Sequence, residues 1–434
     1  MSLPPESDVG PAPAWPKARW RVGNLILDRL QVLEKMLKPF VAHLALLIAI
    51  TVSLPASAAT RSTRSSKNAS SARITETQRT QKRIARLRHT RATRTTARRH
   101  RRSYERFYTS SYADDITEGD VIAGEDPVVR AAAIEALGNM NGTVVAVDPD
   151  SGRVLSMVNQ KLALSGGAQP CSTIKLAVAL AALNERIVDK NTEITLGARS
   201  RMNLTGALAH SNNAYFEALG RRLGFEKVSY YAHEFGLGEL AGYNLTGEHL
   251  GVFPSQELAS KAGGVAKMCS FGESISVTPL QLGALVAAMA NGGTLFYLQH
   301  PTRPEEVAGF QPKIKRQLDI APLVPLMADG MAGAVEYGTA RSVRYSFSEE
   351  PVLGKTGTCS HDGTRFGWFA SFAKTDTGRI VVVVFLRGGR PTFGPKAAEI
   401  AGRMYRNLYD HNFFSPATST HASTSGMQNT SAAQ

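Results

Sequence analysis

Ser172 and Lys175 are the residues of this chain best spaced to do chemistry together. They lie in Cys171-Ser172-Thr173-Ile174-Lys175, which opens an apolar, helix-forming run over 176–183. Positions three apart share one face of a helix, so the amine reaches the hydroxyl. The start of a helix also leaves backbone N–H groups unpaired, and its dipole favours negative charge there. A serine needs a neighbouring base to become a nucleophile, and this spacing supplies one. Taken alone, the same tetrad also describes a helix cap followed by a solvated lysine.

Two later stretches change that balance. Ser211-Asn212-Asn213 precedes a helical pattern over 214–223 and by itself reads as an N-cap. Gly354-Lys355-Thr356-Gly357-Thr358 closes an expected strand over 352–359. Its Gly-Lys-Thr invites a phosphate-loop reading. That loop needs a glycine five residues before Gly354, where Glu349 stands, and a helix after the threonine, where Gly357-Thr358-Cys359 is expected to lead into a loop. The reading fails on both counts.

S-x-x-K, then S-x-N, then K-T-G, in that order, is the set found in serine β-lactamases and penicillin-binding proteins. The middle element, Ser-Asn-Asn, resembles the penicillin-binding transpeptidases rather than the β-lactamases. Other stretches are similar to the same family: 142–158, Ser276-Val277-Thr278-Pro279-Leu280-Gln281-Leu282, Ala290-Asn291-Gly292-Gly293 and Glu336-Tyr337-Gly338-Thr339-Ala340. The resemblance covers residues 116–410. It implies an α+β fold of the β-lactamase/transpeptidase type and a peptidoglycan D,D-transpeptidase acting on stem peptides and acylated by β-lactams. Ser172 would form the acyl-enzyme. Lys175 would take its proton as a neutral amine, its pKa lowered by burial and by cationic Lys355. Ser211 would relay that proton to the leaving amine, and Asn213 would hold the substrate amide. Lys355, Thr356, Gly357 and Thr358 would line the strand edge that binds the substrate carboxylate. The oxyanion donors implied by the family are the backbone N–H groups of Ser172 and Thr358. This chemistry calls for no metal or organic cofactor.

The chain departs from the family beside the nucleophile, where glycine usually stands and Cys171 is found. Cys359 directly follows Lys-Thr-Gly-Thr. If the two oxyanion donors converge, so do these cysteines. A pair at these positions resembles the bridge of class A carbapenem-hydrolysing β-lactamases. A Cys171–Cys359 disulfide is therefore expected, with Cys269 left free. Two other activities share the fold: a serine β-lactamase, for which Glu248 in Thr246-Gly247-Glu248-His249 is the candidate base, and a non-catalytic β-lactam sensor.

The elements that must position these residues follow from pattern. A helix is expected over 127–137. Two β-branched runs, 142–147 and 153–158, flank Asp148-Pro149-Asp150-Ser151-Gly152 and form a hairpin. Helices are expected over 214–223, 227–235, 279–290, 321–335 and 397–409, and strands over 352–359, 367–372 and 379–386. Strands thus come from both ends of the domain and helices fill the middle. The expected architecture is an antiparallel sheet assembled from N- and C-terminal hairpins and flanked by helices.

The chain has 434 residues, 43% hydrophobic and 20% charged, with a net charge of +14. Residues 61–106 hold 16 Lys+Arg and 2 Asp+Glu, so they carry the whole excess; 34 basic and 34 acidic residues balance elsewhere. A basic lead over 1–39 precedes an apolar core over 40–59 that reads as a signal peptide or membrane anchor. Export to the periplasm or the outer face of the cytoplasmic membrane is expected. The Arg/Ser/Thr-rich linker over 60–112 is expected to be disordered. Beyond an export signal, anionic envelope polymers or the membrane surface are its expected partners through 61–106, not nucleic acid. A transpeptidase domain over 113–415 and a disordered tail over 416–434 complete the expected layout.

Overall fold

The computed structural model describes residues 105–197, 200–374 and 378–414. The polypeptide divides into two units, 1–101 and 102–434, and every described residue belongs to the second. The basic lead, the apolar core, the linker as far as residue 104 and the tail therefore lie outside the described residues. No helix among the described residues is long and apolar enough to cross a membrane.

Helix α1 (Pro127–Leu137) begins at Asp126, whose carboxylate accepts from the N–H groups of Val128 and Val129, with Pro127 where a missing N–H costs nothing. Strands β1 (Gly142–Val147) and β2 (Val154–Val158) form the first hairpin. The middle of the chain supplies α2 (Gln160–Ala163), α3 (Lys175–Asn184), β3 (Ile194–Gly197), β4 (Ser200–Met202), α4 (Leu204–Ala209), α5 (Asn213–Glu234), α6 (Gly264–Phe271), α7 (Pro279–Asn291), β5 (Thr294–Phe296), α8 (Pro304–Ala308), β6 (Ile314–Gln317) and α9 (Val324–Glu336). The sheet is completed by β7 (Val352–His361), β8 (Thr364–Lys374) and β9 (Arg379–Gly388), followed by α10 (Gly394–Asp410).

The main sheet runs β2-β1-β9-β8-β7, with all four pairings antiparallel. The two ends of the domain meet where Val144 pairs with Val384 and Val145 with Val383. One face of β9 (Val381, Val383, Phe385) packs with α3, α5 and α7; the other (Val382, Val384, Leu386) packs with α1 and α10. Both faces are covered, which is why this strand reads as an unbroken apolar run rather than an alternation. Helix α7 is buried from Pro279 to Ala290 and is fixed at its start by a capping box between Thr278 and Gln281.

The two helices expected over 214–223 and 227–235 are present and meet at a kink at Gly224 (φ 75°, ψ 160°) within α5. Three expectations need correction. The helix expected from 321 starts at Val324, with Pro325 in its first turn. Strand β7 does not stop at Cys359 or lead into a loop; its register continues to His361 opposite Thr364. Asp362 and Gly363, at φ 46° and 69°, form the two-residue turn into β8, as Asp-Gly does in tight hairpins. Residues 105–112, assigned by composition to the linker, pack on this hairpin and on the end of β9: Tyr108 N donates to Gly363 O (2.9 Å) and Gly389 N to Ser111 Oγ (2.9 Å).

Candidate active site

Ser172, the expected nucleophile, lies in a 3-10 turn, Cys171–Ile174, that leads into α3. Cys171 adopts φ 52°, a left-handed conformation that costs an L-residue energy and suits glycine. The glycine usual at this position therefore has a backbone reason. Thr173 Oγ1 donates to Pro170 O (2.7 Å), locking the turn. Lys175 begins α3 and directs Nζ back to Ser172 Oγ at 2.9 Å.

Ser211 also takes a positive φ, 54°, in the turn between α4 and α5. The cap of α5 is Asn212, whose Oδ1 accepts from Tyr215 N (2.9 Å). The capping role read for this triplet thus falls on its middle residue, and its outer two face the lysine. Lys175 Nζ donates to Asn213 Oδ1 (2.6 Å) and to Ser211 O (2.8 Å), and lies 3.1 Å from Ser211 Oγ. From the sheet, Lys355 Nζ reaches the same Ser211 Oγ at 2.8 Å and Thr356 O at 2.9 Å. Ser211 Oγ thus bridges the two lysines.

Both lysines are fully buried, and neither forms an ion pair among the described residues. Burial pushes Lys175 down to about 7, with the Glu217 carboxylate pulling weakly the other way. Lys355 is held well below the ordinary lysine range by burial first and by the charge of Lys175 second. Repulsion is reciprocal, so whichever lysine keeps a proton disfavours one on the other. Burial thus lowers Lys175 as expected, whereas the repulsion between the two lysines is expressed at Lys355.

The K-T-G strand is pressed against the nucleophile turn. A Cβ on Gly357 would stand 2.8 Å from Pro170 O, so only glycine allows this approach. Cys171 and Cys359 are joined by a disulfide with Cα atoms 5.5 Å apart, and Cys269 is free and buried. Thr356 Oγ1 lies 2.6 Å from Thr339 Oγ1, and Thr358 Oγ1 accepts from Gly394 N at the start of α10 (2.7 Å). Sequence reasoning missed Asn212, Trp368 and Gly394 as supports. Trp368 Nε1 donates to Gln169 O (2.9 Å), tying the sheet to the segment before the nucleophile. Thr339 falls within Glu336–Ala340, which already resembled the family, so a signal for it was present.

Glu248 takes no part in this cluster. Its carboxylate accepts from Ala241 N (2.8 Å) and Gly242 N (3.0 Å), and burial raises its pKa. Among the described residues no group of three or more His, Cys, Asp or Glu side chains is placed to hold a metal.

Residues 142–409 match the family model for the penicillin binding protein transpeptidase domain. The chain belongs to this family. Among its relatives, stage V sporulation protein D of Bacillus subtilis is 31% identical over 298 residues, covering 60% of this chain and 44% of the relative. The peptidoglycan D,D-transpeptidase MrdA of Acinetobacter baumannii is 26% identical over 366 residues, covering 66% and 53%. The chain thus spans about half the length of these curated relatives. The crystal structure of the D,D-transpeptidase domain of a peptidoglycan glycosyltransferase from Eggerthella lenta superposes with a TM-score of 0.55 at 19% identity, covering 66% of this chain and 82% of that one. At that identity the likeness supports the transpeptidase fold alone.

Proposed function

We propose that the chain is a serine-type peptidoglycan D,D-transpeptidase acting outside the cytoplasmic membrane. The observation that carries this reading is the buried Lys175 amine, about 7 in pKa, within hydrogen-bonding distance of both Ser172 Oγ and Ser211 Oγ. A base must be within reach of the proton it takes and titrate near working pH.

The D-Ala-D-Ala end of a stem peptide enters with its terminal carboxylate on Lys355 and the hydroxyls of Thr356 and Thr358. That carboxylate favours the charged form of Lys355, which in turn keeps Lys175 neutral. Ser172 Oγ attacks the carbonyl of the penultimate D-Ala and its proton passes to Lys175 Nζ. The oxyanion is met by the backbone N–H groups of Ser172 and Thr358. As the C–N bond breaks, the proton returns through Ser211 Oγ to the leaving D-Ala nitrogen. Asn213, whose Oδ1 is taken by Lys175, offers its amide N–H to the substrate. The amine of a second stem then attacks the ester, its proton retraces the path, and Ser172 is regenerated. Water in place of the amine gives carboxypeptidase activity.

Intact-mass spectrometry of the full chain with a penicillin, beside Ser172→Ala, tests this. A lasting one-penicillin adduct on the wild type only is expected. Rapid release of penicilloate would replace the reading with a β-lactamase, for which Glu248, held by backbone N–H groups, is not the base. A lasting adduct with no turnover of stem peptides would replace it with a sensor.

A further inference from the structure

A cavity of about 530 Å³ opens beside the nucleophile turn, within the size range of small-molecule sites. Gln169 forms one wall, three residues before Ser172. A second wall is the turn after α6. A Cβ on Gly272 there would stand 2.4 Å from Pro170 Cγ, so this turn packs directly on the segment that carries the nucleophile. The floor is Phe366 of β8 and Phe385 of β9, ring centroids 5.9 Å apart. The cavity also presents two opposite charges, Glu273 and Arg387. Glu273 is half-buried and accepts from Gln169 Nε2 (3.3 Å), whose amide also donates to Phe271 O (3.0 Å). Arg387 is exposed, and its side chain forms no ion pair among the described residues. His361 and Asp362 lie 3.2 Å apart at the mouth, both largely exposed, and the His361 ring is charged only when protonated.

The direction of β7 assigns this cavity to one part of a substrate. The leaving D-Ala and its carboxylate lie at the Lys355–Thr356 end, so the acyl portion extends past Thr358 toward His361. Strand β7 is an edge of the sheet, open to an extended chain. With a rise of about 3.3 Å per residue, the residue before the acylated D-Ala lies level with Cys359–His361, and its side chain points into or away from the cavity mouth.

Resting on the transpeptidase reading, we propose that this cavity binds the third residue of the acyl-donor stem and selects a diamino dicarboxylic acid, whose side chain ends in an ammonium and a carboxylate on one carbon. The ammonium meets Glu273, the carboxylate meets Arg387 and the methylene stem lies on Phe366 and Phe385. A lysine side chain satisfies Glu273 and leaves Arg387 unmatched.

The test is D-Ala release by the full chain, with a D-amino acid as acceptor. The substrates are pentapeptides L-Ala-γ-D-Glu-X-D-Ala-D-Ala, with X as meso-diaminopimelate, its side-chain amide, or L-lysine. A charge-assisted contact corresponds to about tenfold or more in kcat/KM for the diaminopimelate peptide over the other two. Arg387→Gln, at an exposed position, brings that ratio to near one, and Arg387→Glu inverts it. Equal kcat/KM for all three peptides, with Ser172 still acylated by penicillin, overturns the subsite and leaves the transpeptidase reading standing. An unchanged ratio in Arg387→Gln also overturns the subsite. Release from none of the peptides overturns the transpeptidase reading, and the subsite with it.

Discussion

Arg130 and Lys175 are both basic side chains withdrawn from water, yet their surroundings differ completely. Arg130 lies 2.9 Å from both Glu125 and Asp120, and Glu125 also receives His300 Nε2 at 2.9 Å and the N–H of Met157 at 2.9 Å. Burial works against the charge of Arg130, but the bonds from Asp120 and Glu125 outweigh it and raise its pKa. Lys175 has hydroxyls, an amide and a carbonyl around it but no ion pair, and burial dominates. A matched buried charge fixes the chain in place. A buried amine without an ionic partner is driven toward its neutral form, which in the proposed mechanism is the proton acceptor.

Exchanging each basic side chain for methionine separates the two roles. Lys175→Met is expected to slow penicillin acylation by about 10²–10⁴-fold, the usual value of a positioned base. Its melting temperature should change little, because the desolvation cost of a buried amine is removed while Asn213 Oδ1 and Ser211 O each lose a donor. A loss of stability with acylation intact would dissolve the contrast. Arg130→Met is expected to cost about 3–5 kcal/mol, because Glu125 and Asp120 are left buried and unpaired. Denaturant melts measure it; a cost below about 1 kcal/mol would show that the cluster does not anchor this region.

The two clusters also separate along the pH axis. Lys175 acts as a neutral amine, so the acylation rate should be level above about 7 and fall roughly tenfold per pH unit below it. A flat profile between pH 5 and 8 would remove Lys175 as the base. Glu125 behaves oppositely. Burial alone would raise it, but His300 and Arg130 hold it below its ordinary 4.5. Its contribution to stability is complete above that value and is lost as pH falls through the lower, folded one. Acid therefore silences the site first and loosens the anchor later.

The site was more legible in the sequence than its supports. Ser172 and Lys175 were legible from their spacing, and Ser211, Asn213 and Lys355 from the resemblance of their motifs to the family; the structure brings all five together. The central strands were legible because β-branched runs buried on both faces leave a continuous apolar signal. Strands β3 to β6 left little trace, since each has only three or four residues and most are partly exposed. The far end of β7, Cys359–His361, lacks β-branched residues and is held in the sheet by its register with β8. The anchoring around Arg130 was only partly legible: its ion-pair partners Glu125 and Asp120 are near in sequence, but His300 and Met157, which also bond Glu125, come from distant parts of the chain.

Cys171 represents a third treatment of an unfavourable state, held by a covalent bond rather than by charge. Its φ of 52° costs a non-glycine residue about 1–2 kcal/mol. Glycine relieves that cost but adds freedom to the unfolded chain, worth about 0.4–1 kcal/mol in the other direction. The relief is the larger effect. In a Cys359→Ser background, which has no bridge, Cys171→Gly should be more stable than Cys171→Ala by about 0.5–1 kcal/mol, measured by denaturant melts. If alanine proves equal or better, the left-handed turn at Cys171 exists only while the bridge imposes it. The nucleophile turn would then owe its shape to the disulfide, whereas Lys175 and Arg130 would still owe theirs to packing and charge.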